Sequence, residues 1–197
     1  GSEDGFLNVF GFTRPAFYHL AEVFVEMWNA EYQAPNTRVK NTGRRQAFDG
    51  VATLAIVLIW YVMGVQVKAL ALLAGTPRQT ISRYLQRGKA CLLRVLRELP
   101  QAKVRWPKYK GMKAMADDVH AWCGLRNGWA AVDGLNLPMF TPADGGEENA
   151  YYNSWLSGHY VSGVFVWAFD GSIAWWRHNY PGSWHDSKVA KPFYARL

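Results

Sequence analysis

Apolar positions recur with helical spacing in the first half of the chain and in strand-like runs in the second. Phe17, Leu20, Ala21, Phe24 and Trp28 fall at i, i+3, i+4, i+7 and i+11. They predict a helix over 13–28, with Thr13 as its cap and Pro15 in its first turn. Residues 47–63 predict a second helix, ended by Gly64, and 67–74 a third, stopped by Gly75. Thr76-Pro77-Arg78-Gln79 has the order of a capping box, so a longer helix is expected to start here and run to about Leu99. Its inward positions are Ile81, Tyr84, Leu85, Leu92 and Leu96. Arg78, Gln79, Ser82, Arg83, Gln86 and Arg87 face the other way. Pro100, Pro107 and Gly111 then break regular structure and mark a domain boundary at about 113/114. Residues 112–123 read as a short helix with Met115, Val119 and Trp122 inward.

The pattern then changes. Residues 129–133 read as a buried strand whose last residue is Asp133. Leu135–Phe140 contains Pro138 and reads as an edge or an exit. Residues 141–152, with Asp144, Glu147 and Glu148, read as a loop. The runs 158–169 and 172–179 predict a hairpin closed by a two-residue Asp170-Gly171 turn. Pro181-Gly182-Ser183 turns the chain again. His185-Asp186-Ser187 opens a helix that reaches the C-terminus, with Pro192 shortening or kinking it. The fold class is α+β: a helical, helix-turn-helix-like N-terminal region followed by the first half of a mixed α/β core.

Charge sharpens the division. The chain has 197 residues and net charge +7, with 17 Lys/Arg against 7 Asp/Glu in residues 1–113 and 5 against 8 in 114–197. A basic half joined to a mildly acidic one suits a nucleic-acid binder fused to a carboxylate site. A short helix, a glycine turn and a longer helix bearing Arg, Gln and Ser is the arrangement of a DNA-reading helix-turn-helix. Arg and Gln make bidentate contacts to base edges, and Ser reaches phosphates. A plain helical bundle with a basic solvent face is the competing reading. Arg38, Lys40, Arg44 and Arg45 form either a phosphate-touching arm or a solvated linker. Lys103, Arg105, Lys108, Lys110 and Lys113 alternate with Trp106 and Tyr109, a mixture that grips and stacks on a nucleic-acid backbone.

Other classes recede. Cys91 and Cys123 form no CxxC pair, and both read as buried thiols rather than zinc ligands or a disulfide. The apolar run 51–63 is shorter than the roughly 20 residues that cross a bilayer, so no membrane is expected. Gly1-Ser2 resembles a cloning scar and is given no role. Asp117, Asp118 and His120 look like ligands on paper. On a helix the two acids diverge by about 100°, so a solvated face is expected.

Asp133 is different: a carboxylate at the end of an apolar strand needs a partner, commonly a cation. Ala131-Val132-Asp133-Gly134, Tyr151-Tyr152-Asn153 and Pro181-Gly182-Ser183-Trp184-His185-Asp186-Ser187 resemble the motif blocks of the PIF/Harbinger transposase-derived nucleases, a DDE superfamily endonuclease group with an RNase H-like domain. The resemblance covers about residues 125–197. It implies a DNA-cutting hydrolase, with Asp133 and Asp186 as catalytic metal ligands for Mg²⁺ or Mn²⁺, DNA as partner, and nuclear residence. A protein partner or a second copy stays open, and His185 reads as structural. The family's Gly-Asp-x-x-Tyr block and later Glu do not occur in these residues, so part of the acidic site is expected here. The alternative is a co-opted, non-catalytic module that binds DNA or protein.

Overall fold

The computed structural model describes residues 2–33 and 47–197. The basic residues Arg38, Lys40, Arg44 and Arg45 therefore lie outside the described residues. The chain divides into two compact units, Gly1–Lys103 and Val104–Leu197. The division falls ten residues before the boundary read from the sequence. Trp106 explains the shift, because its ring packs on Trp129 and Phe193 of the second unit.

The first unit is helical. It holds α1 (Glu3–Phe10), α2 (Arg14–Trp28), a π-helical turn (Asn29–Gln33), α3 (Gly50–Met63), α4 (Val67–Leu73) and α5 (Arg78–Glu98). The sequence reading missed α1. Ser2, set aside there as a scar, caps it by accepting the Gly5 amide at 3.1 Å. Phe6 and Phe10 of α1 then pack against Phe17. The predicted face of α2 is the observed one: Phe17, Leu20, Ala21, Phe24 and Trp28 are all buried.

Two caps differ from expectation. Thr13 precedes α2 but makes no side-chain cap bond. Thr76 donates its hydroxyl to Ala74 O at 2.9 Å, so the capping box does not form and α5 starts at Arg78. Helix α3 begins at Gly50 rather than Ala47, because Asp49 caps it by accepting the Ala52 amide at 2.7 Å. Its middle is buried, with Thr53, Leu54, Ile56, Val57 and Leu58 all inside, while its last turn, Tyr61, Val62 and Met63, is exposed. Among the described residues no helix is long and apolar enough to cross a membrane. Gly88 of α5 is buried against Val57 and Thr53 of α3. A side chain there would separate the two helices.

The second unit contains α6 (Tyr109–Cys123), β1 (Ala130–Pro138), α7 (Gly145–Tyr151), β2 (Tyr152–Asn153), β3 (Gly158–Ala168), β4 (Ile173–Pro181), α8 (Asp186–Val189) and α9 (Lys191–Tyr194). Antiparallel β3 is the central strand, paired with β1 on one side and with β2 and β4 elsewhere. Val164, Val166 and Ala168 of β3 share a core with Ala174, Trp175, Val189, Ala190 and Phe193. Helices α8 and α9 therefore lie over that face of the sheet. The opposite face carries Phe165, stacked with Trp167 and Trp176, and both tryptophans are exposed.

Four expectations change in this unit. Strand β1 is an edge strand with exposed Val132, Leu135 and Leu137, not a buried one, and Asp133 lies within it rather than at its end. It runs through Pro138 because of the bonding phase. Met139 N–H donates to His159 O, and Trp129 O accepts from Phe169 N–H, so odd-numbered residues bond β3. The Pro138 nitrogen thus faces the free edge, where no ladder bond is lost. The 141–152 loop contains helix α7, capped by Asp144, which accepts from Gly146 and Glu147 amides. Residues 169–171 form a three-residue hairpin loop with Gly171 at φ 85°. Ala168 N–H reaches Ser172 O and Gly171 N–H reaches Ala168 O, a turn closed by a glycine bulge. Finally, Trp122 is 82% exposed and Cys123 is exposed, so neither faces a core.

Candidate functional site

Asp133 and Asp186 border one cleft of about 420 Å³ in the second unit. Each arrives by a different route. Successive β1 side chains alternate between sheet faces, so Asp133 starts on the Phe165 side, opposite the helices. Its carboxylate does not stay there. The Gly134 N–H points to the free edge of β1, and Asp133 Oδ1 accepts it at 2.8 Å. The carboxylate is thus drawn round the strand edge towards the cleft.

Asp186 comes from the helix-covered side. It is the first residue of α8, which packs on β3. A Cβ built on Gly134 would overlap Asp186 Oδ2 and sit 2.5 Å from its Cγ. The two carboxylates therefore touch the same residue, one at its amide and one over its Cα. Bond lengths then hold their nearest oxygens within about 8 Å. Glycine at 134 is required by this approach. The group that approaches the Gly134 backbone is the Asp186 carboxylate.

The turn that delivers Asp186 is fixed by a residue to which the sequence reading assigned no role. Asn153 Nδ2 donates to Gly182 O at 2.8 Å, while its Oδ1 accepts Trp155 and Leu156 amides at 3.1 Å. A Cβ at Gly182 would come within 2.5 Å of Tyr151 O and Tyr160 O. The Tyr-Tyr-Asn and Pro-Gly-Ser blocks are thus two halves of one latch. The local signal was present: an Asn two and three residues before the amides it binds is an Asx turn. Asn136 was also missed. Its Oδ1 accepts the Ser162 hydroxyl at 2.7 Å, which satisfies a serine only 1% exposed and places the amide on the cleft wall. On the rim, Lys188 Nζ lies 3.5 Å from the Trp184 ring centroid. His185 is exposed and makes no side-chain cap bond.

Chemically the cleft offers hard oxygen donors: two exposed carboxylates and the Asn136 amide. That set fits a small divalent cation such as Mg²⁺ or Mn²⁺ rather than zinc, which takes nitrogen and sulfur. It is a partial set. Among the described residues no group of three His, Cys, Asp or Glu converges as a metal site. Asp117, Asp118 and His120 are exposed on α6, away from this cleft.

The predicted DNA-contacting residues fall into two places. On α5, Arg78, Gln79, Arg83, Gln86 and Arg87 are exposed and Ser82 is half-buried. Arg87 also lies 5.5 Å from the Tyr32 ring centroid. Helix α4, the turn with Gly75 at φ 58°, and α5 follow one another and pack together. Lys108 and Lys110 are exposed at the start of α6, in the other unit.

Comparison with known proteins adds one match. No curated protein and no solved structure matches the chain. Residues 132–194 match the family model of the DDE superfamily endonucleases, so the segment that holds both Asp133 and Asp186 is similar to that superfamily.

Proposed function

We propose that this chain belongs to a Harbinger-type, transposase-derived DNA endonuclease. In this reading α4 and α5 recognise duplex DNA as a helix-turn-helix, and Asp133 and Asp186 supply part of an acidic metal site on an RNase H-like core. The observation that carries the reading is the pairing of both carboxylates at Gly134 inside the segment similar to DDE endonucleases. A bound Mg²⁺ or Mn²⁺ supplies phosphate polarisation and water activation in such sites. This chain's own part is to hold two oxygens at one strand edge, with Asn153 fixing the turn that presents Asp186. Nuclear residence belongs to the same proposal.

Charge placement on α5 supports DNA as the partner. No acid occupies its first turn, and Arg78 stands where the helix dipole disfavours a cation. A phosphate bound there offsets that cost.

The second reading is a co-opted module that binds DNA without cutting it. It is favoured by the two-carboxylate set, with no third ligand gathered among the described residues. Mn²⁺ titration calorimetry and nicking of supercoiled plasmid separate the two. The endonuclease reading expects Mn²⁺ binding that Asp133→Asn and Asp186→Asn each weaken at least tenfold. Duplex binding that persists with no Mn²⁺ affinity and no nicking selects the second reading. In either case Arg83→Ala lowers the salt slope of duplex binding by about one.

A further inference from the structure

A second cavity, about 770 Å³, opens in the second unit away from the acidic cleft, between α6, the turn before β1 and the C-terminal residues. Its walls combine Trp106, Tyr109 and Trp129 with three cations, Lys113, Arg126 and Arg196, against one acid, Asp117. The aromatic floor is a packed cluster of rings. Trp106 meets Trp129 edge-on at 5.4 Å, packs on Phe193, and carries the Arg196 guanidinium 5.2 Å from its centroid. Tyr109, by contrast, is 80% exposed and presents an open ring beside the exposed Lys108 and Lys110.

Rings and cations in one concavity match a ligand that is flat, apolar-faced and anionic along its length. A duplex hides its base faces and is too wide for this space; an unpaired strand offers a base and its phosphates together. We propose that this cavity binds single-stranded DNA, one base stacking on Tyr109 and the adjoining phosphates meeting Lys113, Arg126 and Arg196. The inference takes its choice of polymer from the DNA-handling function proposed above, while its geometry uses neither the acidic cleft nor α5.

The test is fluorescence anisotropy of the full chain with labelled octathymidylate at low salt. Tyr109→Ala is expected to weaken binding roughly five- to a hundredfold, the span of one lost base–aromatic stack, and Tyr109→Phe to retain it. Arg126→Ala lowers the salt slope by about 0.7, the single-strand value for one phosphate contact. Neither change alters duplex binding, and Arg83→Ala gives the reverse pattern. Octathymidylate binding unchanged in both Tyr109→Ala and Arg126→Ala overturns the proposal. An abasic deoxyribose-phosphate octamer that binds as well as octathymidylate also overturns it, because the site then reads phosphate alone. Failure of Arg83→Ala to reduce duplex binding counts against the α5 reading and leaves this one standing.

Discussion

The Asp186 carboxylate lies over the Cα of Gly134, in the space that any other residue's Cβ fills. This contact joins the start of α8 to the middle of β1 and brings the second acid to the strand that carries the first. Gly134→Ala pushes the Asp186 carboxylate aside, and because that side chain is exposed it can turn away without moving α8. The expected cost in stability is under about 1 kcal/mol, with a loss of Mn²⁺ affinity as the carboxylate leaves. Thermal unfolding and Mn²⁺ titration read both effects. A variant with wild-type melting and wild-type Mn²⁺ affinity rules out the contact as the organiser of the site.

Asn153→Ala removes three hydrogen bonds at once, those to Gly182 O and from Trp155 and Leu156 amides. Stability is expected to fall by about 1–3 kcal/mol. Hydrogen exchange localises the change: the Trp155 and Leu156 amides lose protection. Asn153→Asp keeps both acceptor bonds, so those amides stay protected while the Gly182 turn loosens. Equal exchange in the two variants counts against the latch.

Gly88→Ala sets two effects against each other. Alanine gains about 1 kcal/mol of helix propensity over glycine. Its methyl, however, comes within 2.6 Å of Val57 Cγ2 and 2.9 Å of Thr53 Cγ2. Val57 and Thr53 are fully buried and β-branched, so they have little freedom to turn aside. Overpacking is expected to win, with a net loss of about 1–2 kcal/mol. A raised melting temperature in this variant means that α3 and α5 separate without cost.

The two thiols are expected to behave differently. Cys91 is 0% exposed; burial, helped by Glu31 and opposed by Arg94, pushes its thiol up to about 11 from 9.0. The folded state therefore favours the protonated form. The stabilisation is complete below the unfolded thiol's pKa and is lost as pH rises through 9 towards 11. Its size is at most about 3 kcal/mol. Cys91→Val is expected to lose less stability than wild type between those pH values, by urea denaturation. Parallel losses exclude Cys91 as the source. Exposed Cys123 reacts first with a thiol reagent under native conditions.

Periodicity revealed α2 to α5 because each buries residues against its neighbours, and the α2 face was legible residue by residue; α1, with no buried residue, left no such signal. Cap chemistry was less legible. Thr76 has two possible partners, and it takes the Ala74 carbonyl rather than the α5 amides. The β3–β4 hairpin was read correctly apart from the length of its loop, but β1 was misjudged. An apolar run says that a strand forms, not how many neighbours it has, and among the described residues β1 pairs on one side only. The site was legible as two acidic motifs. The contact between them depends on strand pairing phase and on Gly134, Asn136 and Asn153, which no spacing rule links across the intervening chain.

The free side of β1 has a further consequence. Its even-numbered backbone groups face outward, and Asp133 already occupies the Gly134 amide. Any strand laid along that border competes with this carboxylate for the same donor. Extending the sheet there and tethering the acid to its own backbone are mutually exclusive, so an added strand would release Asp133 to find other company, and Pro138 would mark the point past which such a strand gains no bond from a proline nitrogen.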